Sequence, residues 1–118
     1  MVRGIPASLT AIHAVAERFN RSAKNIANLN TDGYKADRVT FAEGPVEGTV
    51  QATISVDKSA GPVRAEQTEE GFELVEMSNV DLAKEMVTMM VDKRSIEANL
   101  AALKTADELL GTIIDIKS

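Results

Sequence analysis

The fold is decided by residues 77–116, MSNVDLAKEMVTMMVDKRSIEANLAALKTADELLGTIIDI, which contain no proline and one glycine, Gly111. We predict a single helix here, starting at a Ser78-x-x-Asp81 capping box, ending near Ile114 and measuring roughly 50 Å. Apolar residues recur along it in steps of three and four, as packing against another helix requires. This apolar face consists of Leu82, Met86, Met89, Ile96, Leu100, Leu103, Leu110 and Ile114.

A second helical pattern lies near the N-terminus, where we predict a helix from Pro6 or Ala7 to Asn28. It should end in the turn-forming stretch of residues 28–35, because Gly33 tolerates a positive φ angle. Its apolar face follows the same alternation of three and four. That face consists of Leu9, Ile12, Ala16, Phe19, Ala23 and Ile26.

The two predicted helices can meet as an antiparallel, coiled-coil-like pair if the middle of the chain loops out between them. They differ in length, since Leu9 would reach only residues 97–101 of the longer helix. Exposing the remaining large apolar side chains costs about 1.5–3 kcal/mol each. The tail therefore either contacts other subunits, which we favour, or folds back on the chain. The anchors of a subunit contact would be Leu109, Leu110, Ile113 and Ile114.

Two polar residues, Lys93 and Asp107, interrupt the apolar face of the longer helix. Polar residues in a helix seam can fix register and partner choice, which would give each of them a partner on another helix. Equally, Lys93 can extend its amine to water while Asp107 lies exposed.

The middle of the chain has a different pattern, because glycine and proline separate short alternating segments. We predict strands in residues 49–56, 62–66 and 72–76. So small a sheet is marginally stable alone and should pack on the helices or on neighbouring subunits. The fold class is mainly α with a short β-rich or extended middle. The predicted domains are residues 1–30 with 77–118, a terminal helical domain, and residues 31–76, the middle segment.

Composition excludes several classes of protein. Hydrophobic residues make up 44% of the chain, but three Phe, one Tyr and no Trp suit helix packing better than a small-molecule pocket. The absence of cysteine excludes disulfides and thiolate metal sites. No apolar run approaches the roughly 20 residues that cross a bilayer, so we expect no lipid insertion. The first residues, MVRGIPASL, lack the apolar block of a cleavable signal peptide.

Charge is unevenly distributed along the chain. The net charge of −5 divides into +3 for residues 1–38, −6 for residues 39–77 and −2 for residues 78–118. An acidic middle argues against a phosphate-binding groove. The basic residues of the first helix more simply form a solvated face, so no nucleic-acid partner is expected.

No set of residues forms a catalytic, cofactor-binding or metal site. His13 is the only histidine, and without cysteine or a nearby ladder of carboxylates it is a poor metal ligand. The carboxylates of the middle segment are spread over turns and strand edges, as in a solvated acidic surface. Phosphate-binding and nucleophile motifs are absent. The sequence therefore predicts a protein that is not an enzyme and needs no cofactor.

Two segments carry a family resemblance. SAKNIANLNTDGYK, residues 22–35, resembles the N-terminal signature of the bacterial flagellar rod, hook and hook-associated proteins, and SNVDLAKEMV, residues 78–87, resembles their C-terminal signature. The sequence departs from the family at Lys24, where Asn is common, and at Lys93 and Ile96, where Gln and Tyr are usual. The motif residues are Asn25, Ile26, Ala27, Asn28, Asn30, Thr31, Gly33, Tyr34, Ser78, Asn79, Val80 and Asp81.

The resemblance implies a structural subunit of the basal-body rod, the axial drive shaft for motility, most like a short proximal rod protein. Such subunits leave the cell through the flagellar type III export apparatus without a cleaved signal peptide and lie in the periplasmic rod. They assemble helically, through their terminal helices, with copies of themselves and with other rod proteins. The apolar faces and tail anchors described above would then form the subunit interface.

The alternative function is a soluble helical adaptor or export chaperone. It would use the Met-rich face around Met86, Met89 and Met90 as an adaptable groove for a client protein. This alternative predicts a discrete low-order oligomer, whereas a rod subunit should be incorporated into the axial structure.

Overall fold

The computed structural model describes residues 4–117 and contains two long helices around a β-rich middle. The elements are α1 (Gly4–Ala27), β1 (Asp37–Glu43), β2 (Val50–Val56), β3 (Val63–Thr68), β4 (Gly71–Glu76) and α2 (Leu82–Lys117). The strands form two antiparallel hairpins, β1–β2 and β3–β4. The molecule is elongated, with principal extents of 83 × 24 × 16 Å. The predicted arrangement of terminal helices and β-rich middle is therefore confirmed.

α1 begins slightly before the predicted Pro6 and ends one residue before the predicted Asn28. The turn after it is held by Thr31, whose N–H and hydroxyl donate to the carbonyl and side-chain oxygens of Asn28, both at 3.1 Å. Gly33 has a φ of 71°, the left-handed conformation that glycine adopts without strain. The predicted helix end and its glycine are thus confirmed.

α2 begins at Leu82, so the predicted start at a Ser78 capping box is wrong. Asp81 is the N-cap instead, because its Oδ1 accepts a hydrogen bond from the N–H of Lys84 at 3.2 Å. The carbonyl of Asp81 also accepts the first helical hydrogen bond, from Glu85 N–H at 3.0 Å. At its other end α2 continues past the predicted Ile114 to Lys117.

Long-range contacts explain why the helix does not start at Ser78. The Asn79 N–H donates to the Tyr34 carbonyl at 3.2 Å, and the Ala36 N–H donates to Asn79 Oδ1 at 2.7 Å. The Ser78 hydroxyl oxygen accepts a hydrogen bond from Val80 N–H at 3.2 Å, a local turn rather than a cap. These bonds hold residues 78–80 outside the helix and override the local capping signal.

The middle segment contains four strands, of which β2, β3 and β4 match the three predicted. β1 was missed because its sequence, DRVTFAE, places charged residues at the ends of a short apolar pattern. It pairs with β2 in a register running from Asp37 opposite Val56 to Glu43 opposite Val50. The β1–β2 hairpin packs on α1, as expected of a small sheet, whereas β3–β4 packs on no other described helix or strand.

The core is small and lies where α1, α2 and the start of β1 meet. Its buried apolar residues are Ala14, Val15, Ala36 and Val80. The buried polar residues are Ser22, Asn25, Asp37, Ser78, Glu85 and Asp92. The two residues of α2 that are buried, Glu85 and Asp92, are both acidic, and each needs a partner to offset its burial.

Candidate functional site

The side-chain amide of Asn25 joins four parts of the fold. Asn25 is 1% exposed, and its Nδ2 donates to the Asp37 carbonyl at 3.0 Å and to Glu85 Oε1 at 3.2 Å. Its Oδ1 accepts hydrogen bonds from Asp37 N–H at 2.9 Å and from the Tyr34 hydroxyl at 3.2 Å. One residue thus links α1, the turn after it, β1 and α2.

Asn79 plays a similar part in the same region. Its Nδ2 donates to the carbonyls of Asp57 and Ser59, at 2.8 and 3.0 Å, while its Oδ1 accepts from Ala36. Its backbone N–H reaches Tyr34. We call the region formed by Asn25, Tyr34, Asp37, Asn79 and Glu85 the junction. The two signature segments, far apart in the sequence, meet there.

The structure places the motif residues in three groups. The buried or half-buried group consists of Asn25, Ile26, Asn28, Tyr34, Ser78, Asn79 and Val80. Exposed at the end of α1 and in the turn are Ala27, Asn30, Thr31 and Gly33, and Asp81 caps α2. The motif therefore holds the helices to the β-rich middle, and most of it is internal.

Two cations surround the carboxylate of Asp37. Arg21 Nη1 and Lys24 Nζ each donate to Asp37 Oδ2 at 3.1 Å. Burial acts to raise the pKa of Asp37, but the hydrogen bonds from Lys24 and Arg21 outweigh it and hold that pKa below its ordinary value. Burial, with the negative charge of Asp37, raises the pKa of Tyr34. Lys24, a departure from the family signature, thus contributes to the junction.

A second ionic cluster forms around Asp57 at the end of β2. Asp57 Oδ1 accepts hydrogen bonds from the hydroxyl and N–H of Ser59, at 2.7 and 3.0 Å. Arg38 Nη2 donates to Asp57 Oδ2 at 2.7 Å, and Arg38 Nη1 lies 3.7 Å from Glu85. The Ser59 hydrogen bonds, followed by that from Arg38, hold the pKa of Asp57 well below its ordinary range.

Further along the helices, an ion pair joins Arg18 to Asp92. Arg18 Nε donates to Asp92 Oδ1 at 2.8 Å, and its Nη2 contacts the same oxygen. Asp92 is fully buried, and its Oδ2 accepts no hydrogen bond among the described residues. The Arg18 guanidinium lies over the Phe41 ring, 4.5 Å from its centroid. α1, α2 and β1 are therefore joined a second time.

None of the sequence-predicted interface residues is fully buried. The half-buried ones are Ile12, Ala16, Phe19, Ile26, Met89, Ile96, Leu103 and Leu110. The exposed ones are Leu9, Ala23, Leu82, Met86, Leu100, Leu109, Ile113 and Ile114. They are accessible to other chains, and their role as subunit contacts stays a prediction. Lys93 and Asp107 are also exposed.

Sequence reasoning missed the residues that join the helices, although a signal was present. Glu85 and Asp92 are seven residues apart on α2, and Arg18 and Asn25 are seven apart on α1. A repeat of seven keeps residues on one helix face. Apolar periodicity alone does not reveal such a repeat when its members are polar.

Neither a metal site nor a membrane span is found in the described chain. Within residues 4–117, no group of His, Cys, Asp or Glu side chains is arranged to hold a metal ion. Neither described helix is long and apolar enough to cross a membrane. Surface pockets are open, and one of about 260 Å³ beside the junction is lined in part by residues already paired there, including Arg21, Asp37 and Glu85.

Comparison with known proteins gives the family. A family profile described as "Flagellar basal body rod FlgEFG protein C-terminal" matches residues 73–116. The flagellar basal-body rod protein FlgC of Salmonella typhimurium is 34% identical over 117 aligned residues, which cover 86% of each chain. The chain belongs to the flagellar basal-body rod protein family. The predicted resemblance to this family is confirmed.

Longer members of the family match only in part. The flagellar basal-body rod protein FlgG of Borreliella burgdorferi is 39% identical over 93 residues, which cover 79% of this chain but 31% of FlgG. The flagellar hook protein FlgE of Escherichia coli is 42% identical over 43 residues, or 36% of this chain and 11% of FlgE. The chain thus spans less than a third of these two relatives, whereas its match to FlgC extends over most of both proteins.

Proposed function

We propose that this rod-family chain is a structural subunit of the flagellar basal-body rod, which assembles helically with copies of itself and with other rod proteins. The observation that carries the proposal is the similarity to FlgC over 86% of both chains. The joining of both signature segments at one junction supports it, because the part of the chain shared with rod proteins is also what organises the fold. The subunit would serve motility by transmitting torque rather than by catalysis.

In this proposal α1 and α2 form an antiparallel, coiled-coil-like pair. Two contacts support this direction: Arg18 reaches Asp92, and Asn25 reaches Glu85. Seven residues forward along α1 therefore correspond to seven residues backward along α2, which is the antiparallel direction. Continued to the described start of α1, this register sets Gly4 opposite Ala106. Residues 1–30 with 77–118 form the terminal helical domain, and residues 31–76 form the middle segment.

The C-terminal part of α2 would provide contacts between subunits. In the register above, residues 107–117 continue past the described start of α1. Leu109, Ile113 and Ile114 are 49%, 43% and 67% exposed. Covering large apolar side chains with a neighbouring subunit stabilises assembly by about 25 cal/mol for each Å² removed from water. The tail anchors and the flanking apolar faces are therefore the proposed subunit interface.

Location and export complete the proposal. A subunit of the periplasmic rod would reach its site through the flagellar type III export apparatus, without a cleaved signal peptide. Its partners would be itself, other rod and basal-body proteins and the export apparatus. It would need no nucleic acid, lipid insertion, small-molecule substrate or cofactor.

A basal-body preparation tests the proposal against the adaptor alternative. A tagged chain should be recovered in purified hook–basal bodies, whereas recovery only in the cytosol would support the adaptor. The double variant Leu110→Asp/Ile114→Asp should be expressed normally but be absent from basal bodies and non-motile in soft agar. Thr105→Asp/Thr112→Asp, on exposed positions of the same helix, is the matched control and should assemble. Normal incorporation of the Leu110→Asp/Ile114→Asp variant would exclude the tail as the interface.

A further inference from the structure

The β3–β4 hairpin has an apolar face that nothing in the described chain covers. Its register sets Ala65 opposite Leu74 and Gln67 opposite Phe72, so these side chains share one face with Val63 and, at the base of the hairpin, Glu76. Val63, Phe72 and Leu74 are 59%, 78% and 75% exposed. A two-stranded hairpin is at best marginally stable in water. Covering this face would therefore stabilise the hairpin as well as bind a partner.

The base of the hairpin is bonded to the turn that follows α1. The Gly33 N–H donates to the Glu76 carbonyl at 2.9 Å, and Lys35 pairs with the Glu76 carboxylate. On the other strand, Arg64 Nη2 donates to Asp32 Oδ2 at 2.9 Å. In this position the hairpin contacts no other described helix or strand, so its apolar face is open to another molecule.

α2 carries a complementary surface on the side that faces away from α1. We call Met86, Val87, Met90 and Val91 the outer strip. They are 54%, 59%, 67% and 53% exposed. At about 100° per residue they lie together on one side of α2, roughly opposite the buried Glu85 and Asp92. The outer strip is thus an apolar surface that the α1 contact leaves free.

The charges around the two surfaces are opposite. Residues 63–76 contain one arginine and five glutamates, a net charge of −4. The exposed charged residues among residues 84–94 are all basic: Lys84, Lys93 and Arg94. The two acidic residues of that segment, Glu85 and Asp92, are buried. Such complementarity favours one orientation of docking and speeds association.

We propose that the apolar face of the β3–β4 hairpin docks on the outer strip of a second copy of this chain. Phe72 and Leu74 pack against Met90 and its neighbours. The glutamates of the hairpin turn, Glu69 and Glu70, face the basic residues beside the strip. The two surfaces differ, so the contact is heterologous and can repeat from copy to copy along a filament. The inference rests on the proposed function, because it assigns a particular contact to the assembled rod.

Cysteine cross-linking tests the contact directly, because the chain has no native cysteine. Two tagged versions of the full chain, one with Leu74→Cys and one with Met90→Cys, are expressed together, and purified basal bodies are oxidised. A disulfide requires the two Cβ atoms to lie about 4 Å apart, so we expect a dimer carrying both tags. Glu73→Cys, on the opposite face of the hairpin, is the matched control. It should give about tenfold less dimer with Met90→Cys.

Charge reversal gives a second measurement. Lys93→Glu/Arg94→Glu added to the Met90→Cys chain should reduce the dimer about tenfold, and Glu69→Lys/Glu70→Lys on the Leu74→Cys chain should restore it. Recovery of both chains in basal bodies without a Leu74–Met90 dimer would overturn the contact but leave the rod function intact. A Leu74→Cys link to a different protein would also overturn it. Absence of the unsubstituted chain from basal bodies would overturn the rod function itself.

Discussion

Asn25 and Asp37 exchange two hydrogen bonds: the Asn25 amide donates to the Asp37 carbonyl at 3.0 Å, and the Asp37 N–H donates back at 2.9 Å. A neighbouring strand would pair with a residue in the same way, through both its N–H and its carbonyl. Here the side chain of Asn25 on α1 makes those two bonds to the first residue of β1. The same amide contacts Glu85 on α2 and Tyr34 in the turn. The orientation of the middle segment relative to both helices therefore depends on one side chain.

The first prediction concerns this amide. Asn25→Ala leaves several buried polar groups unpaired, among them the Asp37 N–H, and should lower the free energy of unfolding by about 2–4 kcal/mol. Urea denaturation followed by circular dichroism measures the change. Asn30→Ala, in the exposed part of the turn, is the control and should stay within about 0.5 kcal/mol of the unsubstituted chain. Equal stability of the two variants would contradict the central role of Asn25.

The second prediction concerns the Arg18–Asp92 pair. Arg18→Met leaves the carboxylate of Asp92 buried and unpaired, which should cost about 3–5 kcal/mol of unfolding free energy. Arg18→Met/Asp92→Leu removes both charges and should recover most of that loss, because a buried ion pair stabilises little relative to apolar packing. The same urea titration gives all three values. A double variant no more stable than Arg18→Met would show that the pair itself stabilises the fold.

Local sequence signals predicted the helices and most strands but not the contacts that place them. Helix length follows from apolar periodicity and from the absence of proline, which are properties of the segment itself. The start of α2 at Leu82 depends on bonds from Asn79 to Tyr34 and Ala36, which lie more than forty residues away in the chain. A capping motif at Ser78 carries no information about such contacts, and so its prediction failed.

The candidate site was predictable only in part. The family motif drew attention to Asn25 and Asn79 but gave no chemical role for either, because their partners include backbone groups of the middle segment. The helix contact was predicted from apolar periodicity, and this pattern does not include the acidic residues on α2 that face α1. Met86 and Leu82 were expected between helices, yet they are 54% and 40% exposed. Apolar periodicity identifies a helix face, but it does not identify the partner of that face.

The third prediction concerns pH. The pKa values of Asp57 and Glu76 lie below their ordinary values of 3.8 and 4.5, through hydrogen bonds led by Ser59 and Lys35 respectively. A carboxyl with a depressed folded-state pKa stabilises the fold fully above its unfolded pKa and loses that effect as pH falls through the folded pKa. Stability should therefore be constant above roughly pH 5 and fall progressively below roughly pH 4.

The variant Asp57→Asn distinguishes the contribution of the ionised Asp57 to stability from the general unfolding of the chain in acid. The unsubstituted chain should have a higher Tm than Asp57→Asn at neutral pH, and the difference should shrink as pH falls below roughly 4. Glu69→Gln removes a carboxylate from the exposed β3–β4 turn and serves as the charge-matched control. Thermal melts from neutral to strongly acidic pH give the comparison. A Tm difference for Asp57→Asn that does not depend on pH would rule out the ionised Asp57 as its source.

The fourth prediction uses two glycines for which alanine should have opposite effects. Gly33 has a φ of 71° and no atom within 4 Å of an added Cβ, so Gly33→Ala costs only the backbone strain, about 1–2 kcal/mol. Gly111 lies inside α2 with equally open surroundings, so Gly111→Ala should stabilise the chain by about 0.5–1 kcal/mol. Urea titrations give both changes in the free energy of unfolding. Changes of the same sign in the two variants would contradict the backbone conformations assigned to Gly33 and Gly111. Because neither added methyl group meets another atom, the difference measures backbone conformation alone and tests the turn that brings the signature segments together.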